Sequence, residues 1–409
     1  MAIVLGFNGL LPEPEKAHLV AAVPYDVVNS EEAAVLAKGN NLSFLRISRP
    51  EIEMEAGIDL YRPEVYEKAK ANFKRLIEAA PLKKDKEKNI YVYSLKMGDH
   101  IQSGLAAVFS TDEYDKDIIK KHEKTRKDKE DDRTRHIVTL KSHTGPVFLT
   151  YRDKPEIDAL VAEIMSEKPY FEFAAPDGIY HSFWKAGEKR SLKISKLFNN
   201  VENLYIADGH HRAAAASRTA AEMRKNNPKH TGKEDYNYFL AVVFPASQLK
   251  VLSYNRVVKD LNGLSKDDFL SEIHKKFEIS PASSPSPSKP AEICMFFDGK
   301  WQKLTPKFNL SKLGPIEQLD VSILQDNILA PLLGIDDPKT SKRIDFVGGI
   351  RGTKELEKLV NTEKHVVAFS MFPTTVAQVM AVSDAGGIMP PKSTWFEPKL
   401  RDGMVCHIF

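Results

Sequence analysis

The stretch Tyr205-Ile206-Ala207-Asp208-Gly209-His210-His211-Arg212-Ala213-Ala214-Ala215-Ala216 runs from an apolar strand through a polar corner into a strong helix former. The alanine run after Arg212 favours helix strongly, so the spacing predicts a strand-to-helix turn at Asp208-Gly209. Four polar side chains then crowd the amino end of one helix. Free backbone N–H groups and the positive end of the helix dipole meet there, which makes a ready site for an anion. Gly209 lets the backbone turn sharply and lets a phosphate come close. Asp208 is also expected to cap the helix. The bland alternative is a capped helix with two surface histidines; the density of polar groups favours a functional corner.

Outward from this corner, the rest of the chain reads as mixed strands and helices. Val20–Val23 and Ser43–Ser48 are expected as short strands. Between them a helix follows Asn29, with Glu32 as its capping-box partner and Gly39 at its end. Val65–Ala79 has helical apolar spacing. Ile90–Lys96 and Leu105–Ser110 read as strands paired about Gly98-Asp99, and Pro146–Tyr151 and Ala241–Pro245 as further strands. Helices are expected at Ile157–Met165, Asp267–Phe277 and Thr374–Asp384. Ser280–Pro290 holds too many prolines for a helix or a central strand and is expected as a flexible loop, followed by a hairpin turning at Asp298-Gly299. Residues 112–136 are dense in both charges and are expected as a solvated helix face.

Composition sets bounds on function. The 409 residues suffice for two or three domains, with 42% hydrophobic and 28% charged residues, as in ordinary globular proteins. A net charge of +3 gives no global field to recruit nucleic acid or membrane. The basic residues around Lys120–Lys129 are interleaved with acids, which suits DNA phosphates poorly. No apolar run approaches the roughly 20 residues of a membrane helix. The opening residues lack the features of a secretion signal, so a cytoplasmic protein is expected. Cys294 and Cys406 could pair only with each other and make no disulfide framework.

Among chemistries, phosphate handling suits the corner at Asp208–Arg212 and the group Lys392-Ser393-Thr394. There is no P-loop and no protein-kinase signature set, and Gly348-Gly349-Ile350-Arg351-Gly352 lacks dinucleotide spacing. The adjacent His210 and His211 project about 100° apart on a helix and no Cys or H-E-x-x-H pattern assists them, which argues against zinc. Magnesium held by Asp208 and by substrate phosphates suits the residues better. Cys406 beside His407 is the one cysteine with a histidine neighbour, and no G-x-S-x-G is present, so nucleophilic catalysis is discounted.

Six segments in order resemble one family long catalogued as a domain of unknown function: Val23-Pro24-Tyr25-Asp26-Val27-Val28, Phe44-Leu45-Arg46 before Pro50-Glu51, His122-Glu123-Lys124-Thr125, Ala207–Arg212, Asn255-Arg256-Val257-Val258 and Met389–Thr394. The Asp-Gly-His-His-Arg corner resembles that of ParB- and sulfiredoxin-like proteins, a fold that includes nucleotide-dependent free L-serine kinases. The resemblance implies an α+β fold with a ParB/sulfiredoxin-like core over 1–260. A C-terminal α+β part over 261–409 would carry the 280–290 loop and bring the Lys392 segment to the cleft. It implies phosphoryl transfer from ATP or ADP, with Mg2+, to the hydroxyl of free L-serine. Glu123 then stands as general base, Asp208 as the carboxylate orienting the metal-bound nucleotide, and Gly209, His210, His211 and Arg212 as phosphate-holding positions. Lys392, Ser393 and Thr394 are expected at nucleotide phosphate, and Asp26, Arg46 and His122 on the acceptor side. The mixed-charge insert around Glu123 departs from the compact kinases of that fold. Two rival readings are a ParB-like nucleotide switch acting in regulation or DNA partitioning, and a kinase for another small hydroxylated metabolite.

Overall fold

The structure, a computed structural model, describes residues 2–80, 82–362 and 364–409. The chain is α+β and divides into two compact units: Met1–Leu249 with Pro398–Phe409, and Lys250–Glu397. The last twelve residues thus return to the first unit.

The first unit is built on a nine-stranded mixed sheet. Its strands are β1 (Val4–Leu5), β2 (Tyr91–Met97), β3 (His100–Ser110), β4 (Ile119–Lys120), β5 (Val147–Tyr151), β6 (Phe171–Ala174), β7 (Tyr180–Lys185), β8 (Leu204–Asp208) and β9 (Tyr238–Pro245). The order is β4-β8-β5-β9-β3-β2-β7-β6, with β1 on the distal half of β3 beside β2. β2 and β3 form the expected hairpin at Gly98, whose φ is +59°. β8 runs parallel to β4, and β5 parallel to β9; the remaining pairs are antiparallel. One sheet face is sealed by Pro155–Met165 and Glu188–Phe198, which bring Ile157, Leu160, Ile164, Ile194 and Phe198 onto Val92, Leu105, Leu149, Ile206 and Val243. Elsewhere Phe183 stacks between Tyr91 and Phe171, with ring centroids 5.4 and 5.0 Å away.

A second core joins the N-terminal helices. Phe44, Leu45 and Ile47 meet Phe73 and Leu76 of the helix Pro63–Ala79, together with Leu140 and Cys406. Neither of two strands expected here forms as such. Residues 43–48 contain the helical turn Leu45–Ser48, in which Leu45, Ile47 and Ser48 are all buried. A short apolar run buried on every side has the same periodicity signature in either state, and the tertiary surroundings decide. Val20 ends the helix Ala17–Val20. Only Ala22 is strand-like, exchanging backbone hydrogen bonds with Asp402 at 2.9 and 3.2 Å. The helix Ser30–Leu36 carries the full Asn29/Glu32 capping box, as its sequence predicts.

The second unit holds a six-stranded antiparallel sheet in which Tyr254–Val258 lies between Val367–Met371 and Ile344–Gly348. Phe277–Pro281 forms its edge, where a proline costs no ladder bond. The hairpin Ile293–Phe297/Lys300–Pro306 turns at Asp298-Gly299 as expected.

Phe183→Ala should remove both ring stacks and leave a cavity in the first unit, costing about 3–5 kcal/mol. Urea unfolding followed by tryptophan fluorescence should show a lower midpoint; an unchanged midpoint would refute this view of the core.

Candidate functional site: a strand-to-helix corner around Arg212

The corner forms because β8 ends at Asp208 and the helix His210–Asn226 begins two residues later. Gly209 makes the turn with φ +93°, a conformation that other residues rarely adopt. A Cβ here would stand 2.9–3.1 Å from the Arg212 guanidinium, so glycine is required by space as well as by torsion. Ala213–Ala216 are all buried, and small side chains let the helix sit close against the helix Lys127–Leu140. Asp208 does not cap this helix: the N-cap is Gly209 and no side chain caps it. Instead Asp208 Oδ1 accepts the Gly209 N–H at 2.9 Å, and Oδ2 faces Lys399 Nζ at 3.2 Å and Arg212 Nη2 at 3.8 Å. The leading amides of the helix are therefore left to a ligand or to water.

Arg212 is the hub. Only 8% exposed, it donates from Nη1 to the Pro146 carbonyl and reaches Asp26 Oδ2 at 3.7 Å from Nη2, while its Nε is buried without a partner among the described residues. Burial alone would weaken its charge, but Asp26 and Asp208 more than offset that and hold it firmly protonated. Burial likewise pushes the Asp208 carboxyl up, yet Lys399 and Arg212 hold it far below the usual carboxylate range, so Asp208 is ionised.

The histidines divide into a buried pair and a half-buried one. His210 is buried with its ring 4.4 Å edge-on from His122; its Nε2 lies 3.4 Å from the His122 N–H and its Nδ1 3.4 Å from Glu123 Oε2. Burial keeps both imidazoles neutral at pH 7, driving His122 down to about 4 and His210 well below its ordinary value, where His122 adds to the effect. His211 is half-buried, its value lowered by burial against the pull of Asp26 and Glu130. Glu123 keeps 60% of its side chain exposed. The fold thus gathers Asp26, His122, Glu123, Asp208, His210, His211 and Arg212 from three sequence segments.

Other expected residues lie in different settings. Arg46 is engaged by Glu53 and by the carbonyls of Ala37 and Asn40, at 2.9 and 3.0 Å. Lys392, Ser393 and Thr394 belong to the second unit. Lys392, in a left-handed conformation, places Nζ 5.1 Å from the centre of the Tyr254 ring, and its carbonyl accepts from Arg256 at 3.0 Å.

Three partners were not singled out in the sequence. Lys399 and Asp402 come from Pro398-Lys399-Leu400-Arg401-Asp402, a charged group set in an apolar chain end. The Ala22 bridge fixes Asp402 beside Gly145, where a Cβ would meet its Oδ1 at 2.8 Å. Arg133 sits within the charged run, but Arg133, His136, Ile137 and Leu140 recur at i, i+3, i+4 and i+7, and that face is turned inward. The expectation of a solvated face is corrected for this helix.

Among the described residues no three His, Cys, Asp or Glu side chains are grouped to hold a metal. Asp208, ionised and 29% exposed, fits the modest need of magnesium for one or two protein carboxylates beside phosphates and water.

This corner belongs to a defined class. The family described as "Protein of unknown function (DUF1015)" matches residues 4–322, and the chain belongs to it. A search of curated proteins finds no match. Among solved structures, the chain is similar at 14% identity to a conserved hypothetical protein from Pyrococcus furiosus (73% of this chain, 93% of that one, TM-score 0.35). It is similar at 13% identity to a free serine kinase in complex with AMP (71% and 86%, TM-score 0.34). It is similar at 11% identity to SbnI with a C-terminal truncation from Staphylococcus aureus (73% and 85%, TM-score 0.36). No helix among the described residues is long and apolar enough to cross a membrane.

The buried Asp402 gives the site a pH signature. Burial raises its carboxyl to about 7, with Arg212 opposing. An unfolded aspartate titrates near 3.9, so the folded protein holds an extra proton between about pH 4 and 7. That contribution is full below about pH 4 and is lost as pH rises through 7. Asp402→Asn should therefore gain stability relative to the parent between pH 5 and pH 8 in urea titrations; parallel pH profiles would contradict the assignment.

Proposed function

We propose that this protein is a nucleotide-dependent small-molecule kinase and that its acceptor is free L-serine. The observation that carries the reading is the glycine corner itself. An open helix amino end, an ionised carboxylate and the Lys399 ammonium converge on one spot, the combination that holds a phosphate chain. The motif resemblance of the six segments supplies the acceptor. In this reading Lys399, His211 and the first helix amides hold the nucleotide phosphates, and buried Arg212 fixes Asp26 and Asp208 around them. Asp208 would be the protein ligand of a magnesium ion, which supplies charge neutralisation at the phosphates.

Glu123 is the proposed general base. It is exposed enough to meet a substrate, and the neutral His210 and His122 behind it hold it in place without supplying a competing cation. The serine hydroxyl oxygen bonds to the terminal phosphorus as its proton passes to Glu123. The bond from that phosphorus to the bridging oxygen breaks, releasing ADP from ATP, or AMP from ADP, and O-phospho-L-serine. Such a reaction depends mainly on positioning and charge stabilisation.

With ATP, magnesium and L-serine, purified protein should release ADP in step with phosphoserine. ADP release that serine does not accelerate would refute serine as acceptor. Glu123→Gln should lower kcat by about 10²–10⁴-fold while nucleotide affinity, measured by calorimetry, survives. Near-normal turnover by that variant would remove Glu123 from the role.

A further inference from the structure

Glu123 sits on residues 121–126, which link β4 to the helix Lys127–Leu140 and carry no regular structure. With 60% of its side chain exposed, it is not fixed by burial. Irregular segments are ordinarily the more mobile parts of a fold, so a reacting group placed on one needs restraints. The helix His210–Asn226 supplies them at two points. At its start, His210 Nε2 accepts from the His122 N–H and Nδ1 faces Glu123 Oε2, both at 3.4 Å. Eight residues on, Arg218 grips Glu130 Oε2 at 3.2 Å from Nη1 and Asp131 Oδ1 from Nη2. Glu130 passes that hold to the loop, because its Oε1 accepts the Thr125 hydroxyl. Lys121 ties the other end of the loop to Asp117 at 2.7 Å and to the Tyr114 carbonyl at 2.8 Å.

Two details set Glu130 apart from an ordinary surface charge. Both of its oxygens are engaged, one by a cation and one by a hydroxyl, so its orientation is set. It also stands in the first turn of its helix, where the positive end of the dipole favours a carboxylate. An ion pair with Arg218 39% exposed adds little to global stability. Its effect is local, carried by a charge-assisted hydrogen bond to a residue two positions from Glu123.

We propose that Glu130 is a positioning residue, clamped by Arg218 so that Thr125 and its loop hold Glu123 in register with the helix that opens the corner. The inference rests on the kinase reading with Glu123 as base. Arg218 and His210 lie on one helix, about 12 Å apart at 1.5 Å per residue. The base and the phosphate-holding end therefore share one frame. A misplacement of about 1 Å between reacting groups can cost on the order of 10²-fold in rate. Loss of the clamp should thus appear in kcat rather than in nucleotide binding, since the helix amides and Lys399 are left in place.

The test combines kinetics with ATP, magnesium and L-serine and hydrogen exchange over residues 121–126. Thr125→Val and Glu130→Ala should each lower kcat by about 10–100-fold with the KM for ATP within about twofold of the parent. Thr125→Ser, which restores the hydroxyl, should stay near the parent. Amides of 121–126 should exchange about tenfold faster in the two impaired variants, while those of β3 and β9 keep the parent rate, a contrast that general unfolding would not give. Parent-like kcat in both Thr125→Val and Glu130→Ala would overturn the role, as would a serine variant as impaired as the valine one. If the parent protein phosphorylates no serine, the kinase reading fails and hydrogen exchange alone decides the clamp. Faster exchange at 121–126 in Thr125→Val and Glu130→Ala would uphold it as the anchor of the loop; unchanged exchange would overturn it.

Discussion

The first unit depends on one buried guanidinium. Arg212 lies buried against the left-handed glycine that opens its helix, where a Cβ would stand 2.9–3.1 Å from the guanidinium. Taking such a charge out of water costs several kcal/mol unless partners surround it. Those partners come from distant parts of the chain: Asp26 near the start, Pro146 just before β5, Asp208 on β8 and Asp402 near the end. The arginine thus ties the N-terminal helices, the sheet and the returning chain end to one point. A substitution that displaced it would disturb the site and the junction of these elements together.

The same charge separates two carboxylates. Asp208 has a second cation at 3.2 Å and stays ionised, whereas Asp402 has no salt-bridge partner within reach among the described residues and is pushed up to about 7. One keeps its charge at working pH values, and the other gains and loses it near neutrality. Environments that drive like groups apart in this way are a recurring feature of sites where charge moves.

Much of this was legible in the sequence, for identifiable reasons. The Asp208–Arg212 corner announced itself because strand, glycine and alanine helix follow one another locally, and the Asn29/Glu32 box and the Gly98 hairpin are equally local. The two false strands, at residues 20–23 and 43–48, were short apolar runs whose state is fixed by packing from all sides. Arg133 was hidden because its inward-facing stripe lies in a run of exposed charges that masks the helical period. Lys399 and Asp402 were hidden for a different reason. Their meaning arises from pairing across 191 residues with Asp208 and across 380 with Ala22, and no local pattern encodes such a distance.

Charge accounting around the corner constrains what can bind. Arg212, Lys399 and Arg133 supply three positive charges, while Asp26, Asp208, Asp132 and Glu123 supply four negative ones, and the nearby histidines are held neutral by burial. The protein alone therefore offers no surplus of cation to a nucleotide tail. Under the proposed kinase reading, attraction for phosphate would come from directed donors, the helix amides and Lys399, rather than from a positive field. A polyphosphate entering such a corner would then bring compensating charge with it, and Asp208, kept ionised at the helix start, would receive that cation.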